Sequence, residues 1–147
     1  MKDCLKITGK VHLTLTYFDG RKEEYHLDNM VVNGGKTIVA RMLGNDASYA
    51  DEYINTIAFG TGSNAPSTSD TALQTQVFEK AATVSFPAFN QVQYAATMLA
   101  SEGNGNTFQE VGLLTEGSDM LFSRLLIGAI AKTSLYAINV EWTLSIQ

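Results

Sequence analysis

The sequence predicts a mainly β chain: an antiparallel β-sandwich or jelly-roll-like domain over residues 1–147, with one short α-helix at about 35–44. Several segments alternate apolar and polar residues with a period of two, the spacing of a strand with one buried face. Turn residues recur at short intervals between these segments. A single segment carries helical spacing, so a parallel sheet with a helix in each crossover has no source for its helices.

The first strand is read from Val11, Leu13, Leu15 and Tyr17, which alternate with His12, Thr14 and Thr16. Asp19-Gly20 then predicts a hairpin, because Gly takes up positive φ without steric cost. The return strand runs from Glu23 to Leu27, with Tyr25 and Leu27 inward. Gly34-Gly35 breaks the chain. Ile38, Val39, Met42 and Leu43 follow at helical spacing, and Gly44-Asn45 stops the helix. Ile54 to Phe59 is a strand that runs into a loop, Gly60 to Asp70. Ser69 or Asp70 is expected to cap a brief helical turn through Leu73.

The second half reads as strand after strand. Lys80 to Phe86 is a strand ended by Pro87, and Val92, Tyr94, Ala96 and Met98 alternate in the next. Gly103 to Asn106 is a turn, followed by a strand from Phe108 to Leu114. Met120 to Ile130 is a longer apolar run with a bend expected at Gly128. In the last strand Ile138, Val140, Trp142, Leu144 and Ile146 share one face. The N-terminal residues 1–8 are a candidate arm.

Bulk properties narrow the function. Hydrophobic residues make up 45% of the chain, an ordinary globular value, but charged residues only 17%. A charge-poor surface suggests that a partner covers part of it. The formal net charge of −5 and the absence of any basic cluster argue against a nucleic-acid partner. No apolar run is long enough to span a membrane as a helix, and the first ten residues lack a signal-peptide core. Cys4 is the one cysteine, so no internal disulfide is expected. Without an adjacent base it reads as a small, part-buried hydrophobe rather than a nucleophile.

Gly60-Thr61-Gly62 lacks the Lys of a phosphate-cradling loop, and Ala65 breaks the dinucleotide pattern. His12 and His26 become outer-face neighbours if their strands pair. With no Cys, Asp or third His at ligand spacing they read as surface polar residues, and no metal or cofactor is expected. Among Glu102, Glu110, Glu116 and Asp119, three sit in or beside turns and form no convincing acid/base pair. Glu110 interrupts an apolar strand, where alternation puts it on the face of Phe108. A half-buried carboxylate there needs a cationic partner, Arg124 or Arg41, so Glu110 and Arg124 are taken as a structural ion pair. No catalytic residue is assigned and the chain is read as a non-enzyme. Of the aromatics Phe86, Phe89, Tyr94 and Phe108, Phe89 is the one expected to be exposed.

Three phrases in fixed order carry a resemblance. They are Asn29-Met30-Val31-Val32-Asn33-Gly34-Gly35, then Phe59-Gly60-Thr61-Gly62-Ser63-Asn64-Ala65-Pro66-Ser67 with Asp70-Thr71-Ala72-Leu73, then Glu110-Val111-Gly112-Leu113. Together they resemble small virion structural proteins of tailed bacteriophages, nearest to capsid decoration (cement) proteins. Related phrases also occur in phage tail-fibre and collar proteins. The resemblance implies a non-enzymatic protein of the virion, on the capsid surface rather than the tail, made in the host cytoplasm. It would bind the major capsid protein lattice and copies of itself, as a homo-oligomer such as a trimer. The alternative is a tail-fibre, collar or baseplate module that contacts a tail partner or a host-surface glycan. The expected partner contacts are Lys2, Leu5 and Lys6 in the N-terminal segment, Thr61, Ser63, Asn64 and Pro66 in the loop, and the exposed Phe89.

Overall fold

The computed structural model describes residues 3–147. Among them, ten strands form two five-stranded antiparallel sheets stacked face to face. The first sheet has the order β2 (Lys22–Asp28), β1 (Ile7–Tyr17), β10 (Tyr136–Ile146), β7 (Gln91–Met98), β6 (Thr83–Ser85). The second has the order β3 (Met30–Val31), β9 (Leu121–Ala131), β8 (Thr107–Thr115), β4 (Ile54–Gly60), β5 (Gln76–Ala81). The β-sandwich expected from the alternating pattern is the architecture found.

The period of two explains which side chains meet between the sheets. β1 and β10 pair over their full lengths, from Ile7 opposite Ile146 to Tyr17 opposite Tyr136. Val11, Leu13 and Leu15 therefore line up with Ile138, Val140 and Trp142 on one buried face. The second sheet answers with Ile57 and Phe59 from β4, Val111 and Leu113 from β8, and Leu125, Ile127 and Ile130 from β9. Trp142 has no exposed surface and is among the largest side chains in this core. The Asp19-Gly20 hairpin forms as the sequence predicts, with Gly20 at φ +88° and Tyr25 and Leu27 packed inward.

The helix α1 (Asn33–Leu43) begins two residues before the expected start and includes both glycines. The reason is close approach rather than chain breaking. A Cβ on Gly35 would lie 2.4 Å from the Phe122 carbonyl oxygen, so only glycine lets the first turn sit on β9. A short 3-10 turn, Ala47–Tyr49, follows and was not foreseen.

Four further expectations need correction. The strand expected from Lys80 to Phe86 is two strands, because the chain changes sheets. β5 pairs with β4, Ala82 N–H donates to the Asn55 carbonyl, and β6 then pairs with β7 in the other sheet. Alternation was expected to put Phe108 and Glu110 on one face, and it does not. Phe108 is opposite Ile130 but Glu110 is opposite Leu126, so two residues of β8 span four of β9. The slack is taken up near Gly128, at φ +78°, and the bulge turns Glu110 away from the inter-sheet core that Phe108 joins. No helical turn forms between Asp70 and Leu73, because the Asp70 carboxylate is engaged elsewhere. Cys4 is exposed rather than part-buried, since the chain before Ile7 runs outside the sheets.

Candidate functional site

β8 is buried along almost its whole length, which a strand with one solvent face would not be. The cover on its outer side is the segment 61–75 between β4 and β5, which lies over the outer face of the second sheet. That face is built to receive it. Ala58, Gly60 and Gly112 are small, and Leu73 closes over them in a cluster with Val32, Ala58, Leu114 and Leu121. A Cβ on Gly112 would come within 2.9 Å of Leu73 Cδ2.

Beside this apolar plug, Glu110 and Arg124 project from neighbouring strands into the loop. Their relative exposures are 0% and 2%, so both charges are out of water. Arg124 Nε donates to Glu110 Oε2 at 2.7 Å, which is the ion pair expected from the sequence. Glu110 Oε1 also accepts from Gly62 N–H at 3.1 Å and Thr75 N–H at 2.8 Å, and Oε2 accepts from Gln74 N–H at 3.0 Å. Arg124 Nη1 donates to Asp70 Oδ2 and Nη2 to the Asn64 carbonyl, both at 2.9 Å. Asp70 Oδ2 accepts in addition from Ser67 N–H at 2.9 Å. One guanidinium thus faces two carboxylates, and the backbone N–H groups supply the remaining positive dipole that Glu110 needs. Gly60 and Gly62 fit because a Cβ at either would sit within 2.6 Å of a Glu110 carboxylate oxygen.

Further bonds pin the loop at both ends. Gln109 Nε2 donates to the Thr61 carbonyl, Asn64 N–H to Gln74 Oε1, and Asn33 N–H, at the helix start, to the Thr68 carbonyl. The backbone is therefore fixed while the side chains of Ser63, Asn64, Ala65, Ser67, Thr68 and Ser69 face solvent. Such a surface can bind a partner with little ordering cost. Thr61 and Pro66 are half-buried and serve the loop as much as its surface.

The other expected contacts lie elsewhere. Leu5 and Lys6 are exposed, and Lys6 pairs through its backbone with Gln147. Phe89 is fully exposed and its loop joins the same edge, where Ile146 N–H donates to the Asn90 carbonyl. Lys2 lies outside the described residues. The structure thus brings Leu5, Lys6 and the Phe89 loop to the C-terminal end of β10 in the first sheet, apart from Thr61–Pro66 on the second. Phe86 is exposed, whereas Tyr94 and Phe108 are buried. Burial pushes the Tyr94 hydroxyl up to about 12.

Two of the remaining acidic candidates, Glu102 and Glu116, are engaged by neighbours, and Asp119 sits in the β8–β9 turn at φ +52°. Glu102 binds Lys80 Nζ at 2.7 Å, which with the Leu99 N–H holds its carboxyl below the usual range. Glu116 accepts from Asn55, and Arg41, the other cation considered for Glu110, pairs with Asp46 at 3.3 Å. Two residues escaped sequence reasoning. Asp70 was weighed only as a cap, although an arginine inside the apolar run Met120 to Ile130 calls for more than one acceptor. Glu52 is buried beneath the β8–β9 turn, where hydrogen bonds from the Ser118 and Thr115 hydroxyls hold its carboxyl below the usual range. Nothing in the pattern around Asp51-Glu52 signalled this.

No protein-family model, curated protein or solved structure matches this chain.

Proposed function

We propose that the chain is a structural protein of a tailed-bacteriophage virion that decorates the capsid, binding the major capsid protein lattice as a homo-oligomer and acting without catalysis. The observation that carries this reading is the braced loop. The phrases that carry the resemblance contain residues that pin the loop to the second sheet, namely Gly62, Asp70, Leu73 and Glu110. Their recurrence in such proteins would then reflect one shared way of presenting a rigid polar surface. Modest contacts of this kind become strong when repeated over a lattice, and binding to the assembled shell alone stabilises that shell by linkage.

Electron cryomicroscopy of virions carrying the protein tests the location: copies in a regular array on the shell are expected. The loop is tested with Ser63→Arg and Ala65→Arg, which leave the Arg124 contacts untouched. Both should reduce co-sedimentation with capsid shells by at least tenfold while the melting temperature stays within a few degrees. Unchanged co-sedimentation removes the loop from the interface.

A second reading, a tail-fibre, collar or baseplate module, is favoured by one observation. Phe86 and Phe89 are 77% and 103% exposed near Pro87, an arrangement on which a sugar ring or a tail protein could stack. Density confined to the tail, with glycan-array binding lost in Phe89→Ala, would establish it in place of the first.

A further inference from the structure

The outer face of the first sheet holds a cluster that the virion reading does not use. His12 on β1 and His26 on β2 are directly opposed in the ladder. Their rings stack with centroids 4.4 Å apart and an interplanar angle of 13°. Glu24 is two residues from His26 on the same strand, so it points to the same face. Its Oε1 lies 3.5 Å from His12 Nε2. One ligand atom from each of His12, Glu24 and His26 falls within 4.8 Å of the others.

Those separations are close to what a metal needs. Zinc bonds of about 2.0–2.2 Å in a tetrahedron put neighbouring ligand atoms about 3.3–3.5 Å apart. The His12–Glu24 separation already meets this, and the exposed His26 closes the rest by rotating its side chain. The backbone is set by continuous pairing from Lys10 opposite Asp28 to Thr16 opposite Lys22, so the register of the three residues is fixed and only side-chain rotation is left to the ion. The surrounding charge is mixed: Lys22 and Lys80 line the adjoining groove, while Glu141 flanks His12. Glu141 on β10 lies directly across from His12, with Oε2 3.9 Å from Nδ1. A small shift would let it accept from Nδ1–H and leave the Nε2 lone pair free for the ion, the usual arrangement of a metal-bound histidine. Lys10 on the same face is paired with Asp28 at 3.5 Å.

We propose that His12, Glu24 and His26 form a divalent transition-metal site, with zinc as the ion, since two imidazoles and one carboxylate with an open fourth position make a known zinc ligand set. Water completes the coordination, on the side that opens to a groove of about 680 Å³ lined by Thr14, Thr97 and Asn139. The ion ties β2, an edge strand, to β1. The proposal stands independently of the virion reading.

The test is zinc titration of the purified full chain by isothermal calorimetry, with cobalt absorption as the probe of geometry. One zinc per chain is expected, with a tetrahedral cobalt spectrum. His26→Ala and Glu24→Gln should each weaken binding at least tenfold, and the rise in melting temperature on adding zinc should vanish in His26→Ala. Both substitutions are at exposed positions, and far-UV circular dichroism of the apo variants checks the fold. Absence of zinc binding by the native chain overturns the proposal. So does equal affinity in the variants, which would put the ion elsewhere.

Discussion

Removing the Arg124 guanidinium strands two carboxylates at once. Glu110, which has no exposed surface, would be left with an unpaired charge, Asp70 would lose its cation, and the Asn64 carbonyl would lose its donor. Breaking a buried ion pair by deleting one partner typically costs about 3–5 kcal/mol. Arg124→Met should therefore lower the free energy of unfolding by about that much, read from the urea midpoint, and should open residues 61–75 to proteolysis before the rest of the chain. An unchanged midpoint would mean that the loop contributes nothing to stability. At this scale the sequence was partly legible. Glu110 announces itself by interrupting an apolar strand, and Arg124 is the nearest cation in another. The face Glu110 occupies was not legible, because alternation assumes an unbroken ladder and the bulge near Gly128 leaves no mark beyond the glycine. Asp70 was hidden for a different reason: a cap and a distant ion pair look alike in a single sequence.

At the scale of elements, the β8–β9 turn is clasped from outside by Glu52. The Ser118 and Thr115 hydroxyls bond to its carboxylate, and a Cβ on Gly117 would come within 2.7 Å of Glu52 Oε1. These bonds favour the ionised form, so the folded chain holds this carboxyl below its ordinary value of 4.5. A depressed carboxylate contributes stability that is fully present above the unfolded value and lost as pH falls through the folded one. The melting temperature should therefore fall as pH drops below about 4.5, and Glu52→Gln should show a shallower fall over the same window. Asp46, held down by Ser48, and Glu102, held down by Lys80, add exposed contributions of the same sign. A variant whose acid profile matches the native one would assign the loss to other groups. Strands with one wet face were the most legible elements, since β1, β7 and β10 alternate cleanly. The corner at Ala82 was not, because a strand that changes sheets keeps its composition while exchanging partners.

For the molecule as a whole, both sheets contribute to one continuous core, in which Trp142 is fully buried. Loss of that core should be a single event. Trp142 fluorescence and far-UV circular dichroism are expected to give coincident urea transitions, with blue-shifted emission in the native state. Separate transitions would mean that the second sheet and its loop unfold independently. The layered architecture was legible because burial imposes a period on the sequence. The proposed assembly role rests only on the order of the phrases. Solvent-facing residues such as Ser63 and Leu5 obey no period, and nothing in a single chain records what touches them.

The covering of the second sheet divides the loop's residues into two classes with different freedom to change. Gly60, Gly62, Asp70 and Leu73 are held by Glu110, Arg124 and the apolar plug, so substitution there changes shape. Ser63 and Ala65 stand on a backbone already fixed from below, and their side chains can be exchanged without refolding it. A lineage carrying this fold could therefore diversify the solvent-facing side of this loop quickly while its architecture stays constant, and the same positions offer a place to graft a foreign peptide for display.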